Sequence, residues 1–323
     1  MCAVFVDAGY LLASAATRTT GSSLRSGIVV DYRKLIRSII AESERIAQLA
    51  VLRVNWYDAA ENGVPDQSQE DIGTVPKVRL RLGRFGVDGQ QKGVDLRIGL
   101  DMVTLARNNA VDTIVLVSGD DDLTEAVEQA QDLGVTVIVL AVPNAAGTPN
   151  AVSRHLLRAA DDLEILPPPA LDASVRRPTQ SAASASGASA SAASAPKPAP
   201  VAPIPVPGPR PAPAPAPTRI PVSTPAYSSG TGGTPYIAPE YAVASEELTA
   251  KVDAVVADAW GSFVAASTPA QIAAVRAARP SIPRELDRAL LADLSDKLGV
   301  YTLTDPERYA LRDRFWVWLD STT

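Results

Sequence analysis

Apolar and polar positions divide this chain into three stretches of different texture. Up to residue 166, strand-length apolar runs alternate with amphipathic ones. Residues 3–6, 51–57, 77–82, 113–117, 136–142 and 163–166 are short, apolar or β-branched segments, the mark of strands buried in a sheet. Between them, residues 32–48, 94–107, 123–133 and 152–160 repeat at the helical period, and Gly134 stands where a left-handed residue ends the third helix. Strands alternating with helices predict an α/β domain over residues 1–166, a parallel sheet with helices on both faces in three layers. In such sheets, ligands bind beyond the carboxyl ends of the strands, where the strand order reverses.

The texture changes at Pro167. Of the 27 prolines, 19 lie between Pro167 and Pro239; residues 181–195 are almost purely Ser, Ala and Gly, and residues 196–217 alternate Pro with Ala. Such composition has too little apolar side chain to offset the entropy of ordering, so residues 167–242 are expected to be a disordered Ser/Ala/Pro-rich linker. A proline-rich ligand for a recognition domain is the other use of such a tract; a spacer is the simpler one. Periodicity returns for residues 243–323, which predict a small all-α domain. One helix covers 246–266, and Thr268-Pro269 caps and opens a second that stops before Pro280. Residues 282–298 form a third, closed by Gly299, and Asp305-Pro306 opens a fourth to about residue 319. Trp260, Phe263, Phe315, Trp316 and Trp318 supply bulk for a core, as a bundle or a helix-turn-helix variant.

Composition narrows the chemistry. The single cysteine, Cys2, excludes an internal disulfide and a cysteine zinc cage, and the single histidine, His155, removes the usual zinc sites and any relay needing a second imidazole. No run of about 20 apolar residues predicts a membrane span. The apolar N-terminus has no preceding Lys or Arg and is interrupted by Asp7, so it reads as a strand and not a signal peptide, and a cytoplasmic location is the default. The formal net charge of −6 is distributed as −6 over residues 1–166, +4 over 167–239 and −4 over 240–323. That balance disfavours sequence-blind nucleic-acid binding through phosphate neutralisation. An enzyme that meets phosphate through a bound metal can still be acidic, because its metal ligands are carboxylates.

Carboxylates recur where strand ends and helix starts are expected. Asp7 ends the first strand, Asp120, Asp121 and Asp122 follow the fourth, and Asp95 opens a helix. If the order reverses beside the first strand, Asp7 and Asp120 face each other across the switch point. Like charges that close raise one another's pKa values unless a cation neutralises them, and oxygen-only ligation suits Mg²⁺ or Mn²⁺. The plainer reading is that one such Asp is a helix cap, which requires no metal. Three consecutive acids exceed what a cap requires.

The fragments Phe5-Val6-Asp7-Ala8-Gly9-Tyr10, Lys92-Gly93-Val94-Asp95 and Val117-Ser118-Gly119-Asp120-Asp121-Asp122-Leu123, in that order and spacing, resemble the NYN domain, a PIN-like nuclease family. The helix carrying Asp95 and Asp101 and the ending Asp161-Asp162-Leu163 are similar to it too, so the resemblance covers about residues 2–166. It implies a PIN-like sheet and a metal-dependent ribonuclease acting on single-stranded RNA. The implied divalent metal, Mg²⁺ or Mn²⁺, is bound by Asp7, Asp95, Asp120 and Asp122. Lys92 is placed to contact phosphate, and Ser118 to donate to a ligating carboxylate or to substrate. One position departs: many members carry Asn three residues after the first Asp, and here it is Tyr10, which has no amide to orient water or substrate. Asp101, six residues beyond Asp95, falls on a different side of its helix and is not expected to share the metal.

Lys77, Arg79 and Arg81 alternate with apolar residues and are expected on one strand face, with Arg84 following. They would guide an RNA backbone or simply blunt an edge strand. A haloacid-dehalogenase-like phosphatase is disfavoured because it needs an acid two residues after Asp7, where Gly9 stands. The remaining alternative is a non-catalytic NYN scaffold that binds RNA or protein. The C-terminal helices are read as a partner-docking or homo-oligomer module.

Overall fold

A computed structural model of the chain describes residues 1–60, 63–85, 91–178, 246–300 and 302–322, with backbone alone for Arg84, Phe85, Gln91, Lys92 and Glu246. Most of the expected linker, residues 179–245, and the side chain of Lys92 therefore lie outside the described part.

The first strand, β1 (Cys2–Asp7), is buried along its whole length. It leads into α1 (Ala8–Thr20), β2 (Val29–Val30), α2 (Tyr32–Ala47), β3 (Val51–Ala60), α3 (Gln67–Gly73) and β4 (Val78–Phe85). There follow β5 (Gln91–Lys92), α4 (Val94–Arg107), β6 (Thr113–Val117), α5 (Thr124–Asp132), β7 (Thr136–Ala141), α6 (Arg154–Ala159) and β8 (Asp162–Ile165). The sheet order is β5-β4-β3-β1-β6-β7-β8. Six strands run parallel and the two-residue β5 is antiparallel at the edge. The chain winds outward from β1 through β3 and β4, then returns to pair β6 on the other side of β1, so the order reverses there as expected.

Alternation along each strand divides the side chains between two cores. Cys2, Val4 and Val6 of β1, Trp56 of β3 and Val115 and Val117 of β6 face the layer of α1, α2 and α3. Ala3 and Phe5, Tyr57, and Ile114 and Leu116 face the layer of α4, α5 and α6. A central parallel strand has no solvent side, which is why these segments read as continuous apolar runs.

Residues 8–31 carry no predicted element, yet α1 lies there. Its Gly9 and its Thr-rich end are poor helix formers, and Leu11, Leu12, Ser14, Ala15 and Ala16 are buried on a broad face without a clear polar–apolar stripe. It forms because Asp7 caps its first turn, left-handed Gly21 ends it, and the sheet covers it. Ordered structure also continues past residue 166. The triple proline 167–169 opens α7 (Pro168–Asp172), and β9 (Val175–Arg176) pairs antiparallel with β2. Composition missed this segment because proline marks a helix start as readily as a linker.

The C-terminal stretch forms four helices, α8 (Glu246–Ala266), α9 (Pro269–Ala277), α10 (Arg284–Leu298) and α11 (Asp305–Ser321). The cap of α11 is Thr304, boxed with Glu307, one residue before the expected Asp305. Trp260, Phe315 and Trp316 pack in this bundle's core with Leu286, Leu290 and Leu294. The described residues before 179 and those from 246 onward form one compact unit, and Leu24, from the segment after α1, is buried in the helical core. None of the described helices is long and apolar enough to cross a membrane.

If Leu24 belongs to that core, Leu24→Ala leaves a cavity costing about 2–5 kcal/mol. Urea unfolding followed by tryptophan fluorescence should show a loss of unfolding free energy of that size. A loss below about 0.5 kcal/mol, ordinary for a surface change, would contradict the placement.

Candidate active site

Asp7 ends β1, and Asp120 follows the end of the adjacent parallel strand β6 as the cap of the next turn, beside the reversal of order. An open cavity of about 370 Å³ is lined by Asp7, Gly9, Tyr10, Arg25, Asp95, Gly119, Asp120, Asp121 and Ala151. Three expected carboxylates, Asp7, Asp95 and Asp120, are thus brought together.

Each is held differently. Asp7 is 7% exposed. Its Oδ1 accepts from the N–H groups of Gly9 (2.8 Å) and Tyr10 (3.3 Å), and its Oδ2 from the hydroxyl of Ser118 (3.3 Å). Ser118, fully buried, also accepts from the N–H of Asp120 at 3.2 Å, so one hydroxyl ties the two strand ends together. Of the two expected roles for Ser118, the structure supplies the bond to a carboxylate. Asp95 sits half-buried in the first turn of α4, behind left-handed Gly93. Asp120 caps the single 3₁₀ turn Asp121–Leu123 by accepting from the N–H of Asp122 at 3.1 Å. The cap reading and the site reading therefore both apply to Asp7 and to Asp120.

Of the acidic triplet, Asp121 and not Asp122 reaches the cavity wall. Asp121 is engaged by Ser153 and by Nδ1 of His155, 3.1 Å from both its oxygens. The Ser153 bond, and then His155, lower its pKa. Asp122 is exposed, within electrostatic range of Asp95 and Asp120.

The cluster is short of positive charge. Burial pushes Asp7 up from 3.8 to about 6, against the bond from Tyr10 and with a further rise from neighbouring Asp95. Burial likewise raises Asp95, with Asp120 and Asp122 adding to it, and raises Asp120. Arg25 opposes the rise at Asp7. This is the electrostatic condition a divalent cation relieves, and the donors are all hard oxygens. Among the described residues, no three acidic, cysteine or histidine groups converge into a ready cage. The set fits an ion such as Mg²⁺, which keeps several waters and takes only one or two protein carboxylates.

Two residues shape the cavity without being legible as site residues. Tyr10 donates its hydroxyl to the carbonyl of Asn150 (2.8 Å) and accepts from the N–H of Val142 (3.2 Å). It spends its polar atom on the backbone beyond β7. Gly119 is required by crowding: a Cβ there would lie 2.0 Å from the carbonyl oxygen of Ala151 and 2.7 Å from the Tyr10 ring. Arg25, also missed, comes from the unpredicted stretch after α1, where no local pattern advertises it.

Of the expected basic stripe, Arg79 and Arg81 fall on one face of β4, opposite Asn55 and Tyr57, and Lys77 does not share it. Lys77 precedes β4 with φ of 68° and pairs with Glu44 of α2 (3.4 Å), while Arg81 turns to the α4 layer. A left-handed residue breaks the alternation that would have aligned them. Arg81 Nη2 donates to Asp101 Oδ1 at 3.0 Å, and Asp101 also accepts from the hydroxyl of Tyr57 at 2.9 Å. Asp101 is therefore engaged away from the cavity, as its helical position requires. Arg79 stays exposed.

An α/β sheet with acids at its switch point defines a class in which ligands meet carboxylates beyond the strand ends. The NYN domain family matches residues 2–166, and the chain belongs to that family. NYN domains are members of the PIN-like nuclease superfamily and are generally nuclease-like. Over 87 residues the chain is 40% identical to an uncharacterized protein of Sinorhizobium fredii, a match spanning 27% of this chain and 41% of the relative's length. The solved structure of a protein of unknown function from Vibrio parahaemolyticus is 24% identical, covering 52% of this chain and 93% of that one with a TM-score of 0.36.

The Asp7 shift makes stability depend on pH. Its folded pKa lies above its unfolded value, so the folded protein holds this proton more tightly. Its contribution is fully present below about pH 4 and is lost as pH rises through about 6. Asp7→Asn removes the charge and should stabilise the protein by about 1–3 kcal/mol at pH 7.5 in the absence of divalent metal, with the gain shrinking toward pH 4. Urea unfolding of both proteins at the two pH values checks this; a gain independent of pH would refute the assignment.

Proposed function

We propose that the protein is a metal-dependent ribonuclease that hydrolyses phosphodiester bonds of single-stranded RNA at the Asp7–Asp95–Asp120 cavity. The observation that carries this reading is the crowding of half-buried and buried carboxylates with raised pKa values around an open cavity at the switch point.

A Mg²⁺ or Mn²⁺ ion would be held in the cavity by Asp7, Asp95 and Asp120, one or two of them directly and the rest through its waters, with Asp122 approaching from the exposed side to orient water or to help bind a second ion. Such an ion, when bound, lowers the pKa of water and offsets charge on a phosphoryl oxygen. Ser118 keeps the Asp7 oxygen aimed at the cavity and fixes the Asp120 backbone relative to it. The two N–H donors at Asp7 favour its ionised form, the form that binds a cation. The openness of the site suits a strand of RNA passing over it, and exposed Arg79 remains as one contact for its backbone.

Incubating the purified protein with end-labelled single-stranded RNA and Mn²⁺ or Mg²⁺ tests the reading. Cleavage should be abolished by EDTA and slowed at least about a hundredfold in Asp120→Asn, since even outer-shell changes at metal sites cost up to that much. RNA that is bound and never cut would establish the alternative, a non-catalytic scaffold, in keeping with Tyr10 at the position where many members carry Asn.

A further inference from the structure

Residues 21–28 leave α1, pack against the C-terminal bundle and lead into β2. Leu24 is a member of the helical core. The hydroxyl of Ser22 donates to Asp293 Oδ2 at 2.7 Å, and the N–H of Ser23 donates to Asp293 Oδ1 at 2.9 Å. The N–H of Ser26 donates to Glu285 Oε1 at 3.0 Å. A Cβ on Gly27 would lie 3.1 Å from Ser262 Cβ, so the backbone runs close against α8. In an irregular segment, N–H groups without a ladder or helix need partners from elsewhere. Here, carboxylates of α10 supply them through charge-assisted bonds. This segment carries Arg25, in the one-turn helix Arg25–Gly27, and Arg25 lines the carboxylate cavity.

Arg25 is the one cation lining that cavity among the described residues. Its guanidinium approaches Asp58 Oδ1 at 3.9 Å, beyond hydrogen-bond distance, and its side chain is 30% exposed. The fork of a guanidinium that lines an open acidic cavity matches the geometry of a phosphate. We propose that the C-terminal bundle acts within the same chain as a brace on residues 21–28, holding Arg25 as the anchor for one phosphate of the RNA backbone. The inference rests on the ribonuclease reading for its ligand. It assigns the helical domain a role at the site instead of a separate docking task. If Arg25 served only to offset Asp7 and Asp58, RNA affinity would not depend on it.

The test uses the full chain with labelled single-stranded RNA and Ca²⁺ in place of Mg²⁺, reading fluorescence anisotropy across a salt series, beside amide hydrogen exchange. Arg25→Gln should weaken binding about tenfold and reduce the salt slope by about one, with exchange over residues 21–28 unchanged. Asp293→Asn should speed exchange at Ser23 and Leu24 and weaken binding several-fold although Arg25 is intact. Glu285→Gln, a more exposed change, repeats the test at Ser26 should Asp293→Asn fail to fold. Unchanged affinity in Arg25→Gln, or faster exchange over residues 21–28 with unchanged affinity in the brace variants, would overturn the proposal, as would a wild type that binds no RNA. RNA that is bound with these dependences and is not cut in the assay with Mn²⁺ or Mg²⁺ would uphold it while refuting hydrolysis.

Discussion

The carboxylate of Asp7 ends the one strand that has sheet neighbours on both sides at the reversal of order and helices on both faces. A side chain there is desolvated by the fold itself. Burial raises the free energy of its ionised form, and the local structure answers with two backbone N–H donors at the start of α1 and the Ser118 hydroxyl from the end of β6. Asp95 and Asp120 add like charge to the same space. A site of this kind costs stability at neutral pH, a cost that a bound cation would offset.

The same constraint explains the neutral parts around it. The two strand ends can come together only if the backbone at residue 119 passes directly beneath the loop at Ala151, which leaves no room for a Cβ. Tyr10 fills the flank and ties α1 to the backbone beyond β7. Its hydroxyl is taken by that backbone, so the position is occupied by a support and not by a polar group free to meet substrate. The cation that offsets the cluster is not on the sheet at all. Arg25 hangs on a segment whose amide donors and whose leucine are satisfied by α8, α10 and their core. The helical domain and the acidic cavity are thereby joined in one compact unit.

Much of the fold was legible because burial in a parallel sheet imposes a local signature. The five longer parallel strands of the first domain, the helices α2, α4, α5 and α6 and the four C-terminal helices all announce themselves by period, cap or composition. Helix α1 does not, since its small residues pack on a broad face and its cap residue, Asp7, reads equally as a strand end. The approach of Asp7 and Asp120 was legible from their places at strand ends, and Asp95 was joined to them by the family resemblance. The separation of Lys77 from Arg81 was not, because it turns on a single left-handed residue. Nor was the exchange of Asp122 for Asp121 at the cavity wall, which depends on how one 3₁₀ turn faces Ser153 and His155.

By itself, then, the sequence determined the layer architecture, the limits of its longer amphipathic and capped helices to within a few residues, and a residue inventory that leaves carboxylates as the candidate chemistry. These follow from hydrophobic period and residue inventory, which act over a few neighbours. Tertiary structure alone decided which acid is most desolvated, which triplet member lines the cavity, and that Arg25 reaches it by way of a distant helical bundle. Those properties arise between residues far apart in the chain, as with Ser23 and Asp293, where burial and hydrogen-bond partners exist only once the layers have packed.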